Sequence, residues 1–270
     1  MQASQHTPSN GAIYGVRMPI SQRWMHWTAV AEPFNLYGAT AWKSMSQKIR
    51  PVRFCSGKGG PPQVFEREIM QIPSEEECYR LIYEIGMMEH IAAHSVRVCQ
   101  VALLLTDHLN ASGYDLNRDL IRASALLHDI TKTRSFETGE NHALTGCQFL
   151  SGLGYAEVGD IVRQHVRLDV YDASEIPAEA EIVNYADKRV LHDQVASLQQ
   201  RLAYIMEKYG TRAEYHERIR YTWQKTGELE KKLFSMLPFS PQDVAGLISP
   251  QAFSACLSAY RAVCDGKRYI

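Results

Sequence analysis

From Ile72 onward, apolar residues recur at every third or fourth position, the spacing of helices that bury one face. "PSEEE" opens this region with Ser74 as a helix cap and Glu77 three residues later, which predicts a first helix over 74–85 that stops near Gly86. A second is predicted over 88–109, with Ile91, Val98, Ala102 and Leu105 on one stripe, and a third over 117–129, with Ile121, Ala125 and Leu126 turned to the core. Shorter helices follow over 141–152, closed by Gly152 and Gly154, and over 155–167; "DVYDASEIP" then connects to another over 178–192. Residues 193–237 read as long helices interrupted at "YGT" (209–211), and a last helix spans 242–263 after "LPFSP". Tyr215, Ile219, Trp223, Leu229 and Leu233 fall near helical spacing among Lys, Arg and Glu, which marks one face packed on the core or a surface for a homodimer. Strand signals are scarce, so the class expected is all-α.

Residues 1–65 show no sustained period, and they hold three of the four tryptophans and six of the eleven prolines. They are expected to be an irregular or partly disordered N-terminal extension. "CSGKGGPP" (55–62) resembles a phosphate loop only superficially, because two glycines and two prolines follow Lys58 where Ser or Thr at a helix start is required; a plain turn is expected. The chain then divides into a helical domain over 70–192 and a C-terminal helical extension over 193–270 packed on it.

Composition narrows the picture modestly. In 270 residues with 45% hydrophobic and 22% charged residues, the formal net charge is −1, so no global basic field argues for nucleic acid. The most apolar run, "VCQVALLL" (98–105), is far short of the roughly 18 residues a membrane span needs, and the N-terminus lacks a secretory pattern. Six cysteines without a CxxC, two of them (Cys99 and Cys147) inside apolar helical patterns, read as free thiols in a reducing cytoplasm.

Against this background a few polar residues interrupt apolar helical stretches: His94 in "IAAHSVRV", His128-Asp129 in "ALLHDITK", His142 in "ENHALTG", His165 in "IVRQHVR" and Asp187 in "IVNYADKRV". A single histidine on an apolar face is ordinarily a hydrogen-bonded core residue. Six such groups on five successive helices are different, because burying them costs several kcal/mol unless they pair or bind metal. Four imidazoles and two carboxylates suit Fe, Mn or Zn, and the lack of Cys argues against a structural zinc site. Six ligands suit two divalent ions with a shared carboxylate, whose positive charge would attract a phosphate.

The ordered set His94, His128-Asp129, Asp187 resembles the HD-domain superfamily of metal-dependent phosphohydrolases, over roughly residues 74–192. "LLHDITK" is similar to that family's HD-Ile-Gly-Lys segment, with Thr131 in place of the glycine, and His142 and His165 match the subgroup with a second metal. The resemblance implies that His94, His128, Asp129 and Asp187 hold one metal and that His142 and His165, with Asp129 bridging, hold the other. It implies cleavage of a phosphoester or phosphoanhydride, of a nucleotide or small phosphorylated metabolite, by a hydroxide bridging the metals. Lys132 matches the family lysine beside the site and is the candidate phosphate contact; Arg189, Lys188 and Arg134 are weaker ones. His90, one turn before His94, is a further substrate or ligand candidate, whereas the second dipeptide, His192-Asp193, reads as a surface pair or helix cap. Two rival functions share the ligand set: a mixed-valence di-iron oxygenase on the same fold, and a non-enzymatic module that senses a ligand.

Overall fold

The computed structural model of the chain describes residues 70–171, 176–210 and 212–267; the N-terminal extension and its Lys58 turn lie outside them. The described residues are almost entirely helical. In order they form α1 (Glu75–Glu84), α2 (Glu89–Ala111), α3 (Arg118–Leu127), α4 (Lys132–Thr138), α5 (His142–Gly152), α6 (Ala156–Gln164) and α7 (Glu179–Lys188). A short antiparallel hairpin, β1 (Val190–Leu191) and β2 (Gln194–Val195), precedes α8 (Leu198–Tyr209), α9 (Ala213–Phe234), α10 (Val244–Leu247) and α11 (Pro250–Lys267).

Local chemistry sets where several helices start. Ser74 Oγ accepts from Glu77 N at 3.2 Å, while the Glu77 carboxylate turns to Arg80, so one half of the expected capping box forms. Asn117 caps α3 through Leu120 N, and Asn141 caps α5 through Ala143 N and Leu144 N. Ser197 and Gln200 form a reciprocal capping box at α8.

Helix α2 is the centre of the assembly, and the stripe Ile91, Val98, Ala102, Leu105 is buried along it. Helices α3 and α7 pack on α2 and on each other, α6 packs on α3 and α7, and α5 lies on α6. Gly146 permits that last approach: a Cβ there would sit 3.1 Å from Val162 Cγ1 and 3.3 Å from Ile130 Cγ2. The later helices close the other sides. Helix α9 buries Ile219, Leu229 and Leu233 and reaches α7 through Lys232, whose ammonium lies 2.8 Å from both Glu181 carboxylate oxygens. Helix α11 packs on α1 and α2, with the Arg97 guanidinium 3.8 Å over the Phe253 ring.

Three boundaries depart from the periodicity. The helix expected over 117–129 ends at Leu127, and the chain turns through 128–131 before α4, a helix the periodicity did not predict. The helix over 155–167 ends at Gln164, which leaves His165 as its C-cap. The helix over 178–192 ends at Lys188 because the chain reverses into the hairpin, whose two-residue loop is His192-Asp193, with His192 at φ +57°. Two-residue strands are too short to carry an alternating pattern. Among the described residues no helix is long and apolar enough to cross a membrane, and the cysteines are free thiols.

Leu105 is fully buried in α2, so Leu105→Ala is expected to destabilise the fold by about 2–5 kcal/mol. Leu153→Ala, at an exposed position, should cost under about 0.5 kcal/mol. Urea midpoints measured at unchanged slope check the pair.

Candidate metal centre

Two histidine–aspartate groups converge in the bundle: His94, His128 and Asp187 in one, Asp129, His142 and His165 in the other. Within each, the potential ligand atoms lie within 4.8 Å of one another. Asp187 Oδ1 is 3.2 Å from His94 Nε2 and 3.7 Å from His128 Nε2. Asp129 Oδ1 is 3.2 Å from His142 Nε2 and 3.5 Å from His165 Nε2. Its other oxygen, Oδ2, is 3.5 Å from His128 Nε2, so one carboxylate addresses both groups. Metal bonds of about 2.1 Å hold neighbouring ligand atoms about 3.0–3.4 Å apart, close to these separations.

The imidazoles are oriented by backbone carbonyls. His128 Nδ1 donates to Ala125 O at 2.8 Å, His165 Nδ1 to Val162 O at 2.6 Å and His94 Nδ1 to His192 O at 2.7 Å. A carbonyl only accepts, so in each ring the Nδ1 carries a proton and the neutral form turns a bare Nε2 lone pair inward. His128 and His165 are the C-caps of α3 and α6, and each uses a carbonyl from its own helix's last turn. The fit to a metal is tested by His128 Nε2: it is buried and has no hydrogen-bond partner. A fully buried lone pair without a donor is costly in a protein interior, and a cation at that position satisfies it.

Electrostatics separates the groups. Burial opposes ionisation of Asp129, but Lys132, His128 and His142 outweigh it and hold the carboxyl well below the usual carboxylate range. At Asp187 burial is likewise overcome, by Lys188, His94 and His128. Burial lowers His165 to about 4, so its ring is neutral at ordinary pH. Burial also works against charge on His128, yet Asp129 and Asp187 raise it above free imidazole.

The other sequence candidates fall in different places. Lys132, the first residue of α4, puts Nζ 3.9 Å from Asp129 Oδ1 and 3.5 Å from His142 Nε2, with a quarter of its side chain exposed. His90 is half-buried in the first turn of α2, where His192 and His94 add to the effect of burial in lowering its pKa. Arg134 is exposed and pairs with Glu140 at 2.5 Å. The weak substrate role expected for Arg189 gives way to a structural one. The residue is buried, and its guanidinium donates to Ala196 O, Tyr185 Oη and Pro241 O, tying α7 to the segment after α9.

Several residues support the site in ways that their sequence setting did not specify. Lys188 is buried, donates to His165 O and lies 3.3 Å from Asp187 Oδ2, which links the two groups from behind. Asn184 Nδ2 donates to Gln164 O and His165 O. Thr131 Oγ1 donates to His142 O at 2.8 Å, and at φ −102° that position does not need glycine. In the dipeptide His192-Asp193 the His192 side chain is exposed, but the pair caps no helix: as the hairpin loop its carbonyls receive His94 Nδ1 and Arg97 Nε.

Metal loading is expected to release protons, because His128 must give up one held more tightly than in free imidazole. Affinity for Mn or Zn should therefore fall, by up to about tenfold per pH unit, as the pH drops through the raised His128 pKa. Calorimetric titration in buffers of different ionisation enthalpy counts the protons, and chelation should lower Tm in the same samples.

Comparison with known proteins agrees with this geometry. The family described as "HD domain" matches residues 91–190, a stretch that holds all six His and Asp residues. Among curated proteins, the chain is 31% identical over 147 residues to a tRNA (cytidine(56)-2'-O)-methyltransferase of Thermoplasma volcanium, covering 50% of this chain and 41% of that one. It is 27% identical over 154 residues to the protein of that name in Picrophilus torridus, covering 52% and 42%. It is 30% identical over 79 residues to an uncharacterized protein of Methanocaldococcus jannaschii, covering 29% and 46%. The chain thus spans less than half the length of each of these relatives, and no solved structure matches it. The matched segment and the paired His/Asp groups coincide, so residues 91–190 are an HD domain.

Proposed function

We propose that the protein is a metal-dependent phosphohydrolase that cleaves a phosphoester or phosphoanhydride in a nucleotide or small phosphorylated metabolite. The observation that carries the reading is Asp129, whose two oxygens face different histidine groups while the Lys132 ammonium lies beside it. Two divalent ions, Fe or Mn with Zn as a third choice, would be held by His94, His128 and Asp187 on one side and by His142 and His165 on the other, with Asp129 shared. Bound there, such ions acidify water and draw charge from phosphate oxygens.

The chain's own groups then have separate tasks. His94, His128 and His165 present prepared Nε2 lone pairs, so little reorganisation accompanies loading. Lys132, the partly exposed cation of the cluster, is placed to donate to a phosphate oxygen and to offset charge as the leaving group departs. Buried Lys188 offsets the Asp187 charge from the opposite side and keeps His165 in register.

The methyltransferase activity in the names of the relatives belongs to proteins of which the alignment spans 41% and 42%, and we do not carry it over. The tRNA in those names adds RNA oligonucleotides with terminal phosphates to the substrate panel. The domain division is likewise proposed: residues 70–192 carry the chemistry, and 193–270 shape access to it.

Purified protein loaded with Mn or Fe should release phosphate or a nucleoside monophosphate from at least one member of a nucleotide and phosphoester panel. Asp129→Ala should reduce turnover to below about 1%, and Lys132→Met should lower kcat/KM by about 10–100-fold. Unchanged turnover in Asp129→Ala would sink the mechanism, and oxygen uptake with a mixed-valence iron signal would replace it by the oxygenase.

A further inference from the structure

Three of the four imidazoles are locked through Nδ1, and the fourth is held in another way. His94, His128 and His165 each donate from Nδ1 to a backbone carbonyl, at 2.7, 2.8 and 2.6 Å. Among the described residues no carbonyl receives His142 Nδ1. The polar neighbours of that ring gather at Nε2: Asp129 Oδ1 at 3.2 Å, His165 Nε2 at 3.2 Å and Lys132 Nζ at 3.5 Å. Without a second anchor on the ring, its direction depends on where the backbone of His142 stands.

That backbone is held from two sides. Asn141 Oδ1 caps α5, accepting from Ala143 N at 3.1 Å and Leu144 N at 3.2 Å. The second hold crosses from another piece of chain: Thr131 Oγ1 donates to His142 O at 2.8 Å and lies 2.8 Å from Thr145 Oγ1. A hydroxyl has one proton, so Thr131, donating to the carbonyl, accepts from Thr145, and the three groups form one directed chain. Thr131 is 1% exposed, too buried for water to take over its bond. It follows Asp129 by two residues, in the turn between α3 and α4. One hydroxyl thus joins the turn that carries the shared carboxylate to the first residue of α5, whose imidazole faces that carboxylate. No hydrogen bond of this hydroxyl reaches His94, His128 or Asp187.

We propose that Thr131 is the positioning residue of the second group: its hydroxyl holds His142 against Asp129, so that this group keeps its ion. The role rests on the two-ion reading of the centre, not on the chemistry the ions perform. It belongs to a side chain that is none of the six His and Asp ligand candidates, and it sets the two groups apart, since the first owes nothing to this hydroxyl.

The test is calorimetric titration of the metal-stripped 270-residue chain with Mn. The unsubstituted protein should bind two ions, and the constant that His142→Gln weakens is assigned to the second group. Thr131→Val, which keeps the branched shape and drops the hydroxyl, should weaken that same constant by about 10–100-fold and leave the other within about twofold. Thr131→Ser, which restores the hydroxyl, should bring it back to within about threefold. Thr138→Val, the same exchange at an exposed position of α4, should change neither constant. If Thr131→Val fails to fold by circular dichroism, Thr131→Ala decides by the same criteria. Spin resonance gives an independent readout: two equivalents of Mn should form a coupled pair in the unsubstituted protein and leave an isolated ion in Thr131→Val. An unchanged second constant in Thr131→Val overturns the role, as does an equal loss at both groups, which marks general loosening. Failure of Thr131→Ser to restore binding overturns it too. Two bound ions with the Thr131 dependence, but no turnover of any panel member, remove the hydrolase and leave the positioning role. Turnover by an unsubstituted protein that binds a single ion overturns the positioning role and leaves the hydrolase.

Discussion

The Asp129 carboxylate is the constraint around which the rest of the centre is arranged. It is buried at the turn after α3, where an isolated charge would be expelled or neutralised. It stays ionised because His128, His142 and Lys132 converge on it from three directions. Each of those comes from a different piece of chain: the same turn, the start of α5 and the start of α4. The bundle must therefore bring α3, α4 and α5 together to within ångströms, and the close α5–α6 approach at Gly146 delivers His142 and His165 to the same oxygen.

Helix ends supply the second layer of control. The last carbonyls of a helix have no partner within it, and two of the four imidazoles take up such carbonyls through Nδ1. His94 sits inside α2, where the carbonyls are already used, and the hairpin loop reaches over to provide one. The same physical need, a fixed tautomer with Nε2 facing inward, is met locally at His128 and His165 and over a long sequence separation at His94. That difference explains why α7 stops at Lys188: without the chain reversal at 189–195, His192 O could not meet α2.

Much of the fold was legible because helical burial has a short period. The stripes in α2 and α3 were read from spacing, and the cap at Ser74 follows a local rule. The boundaries that went astray, at Leu127, Gln164 and Lys188, share a cause. Each helix ends where a site residue or its support is needed, although the apolar pattern alone would allow another turn. The six metal-candidate residues stood out because polar groups in an apolar stretch break a pattern. Asn184 breaks nothing conspicuous, and Lys188 reads as a phosphate contact where the fold makes it a buried support.

By itself, the sequence determined the helical class, the core-facing residues and the six His and Asp groups, since each depends on residue type and spacing within a few turns. Only the tertiary structure decided how those six divide into two groups around Asp129, because that depends on helices up to 93 residues apart meeting at His94 and Asp187. It also assigned the neighbouring cations. Arg189 and Lys188 are adjacent in the chain, yet one ties α7 to distant backbone and the other backs the metal-candidate groups. A side chain's partners are set by where its helix docks, and docking is a sum over the whole core that no local pattern contains.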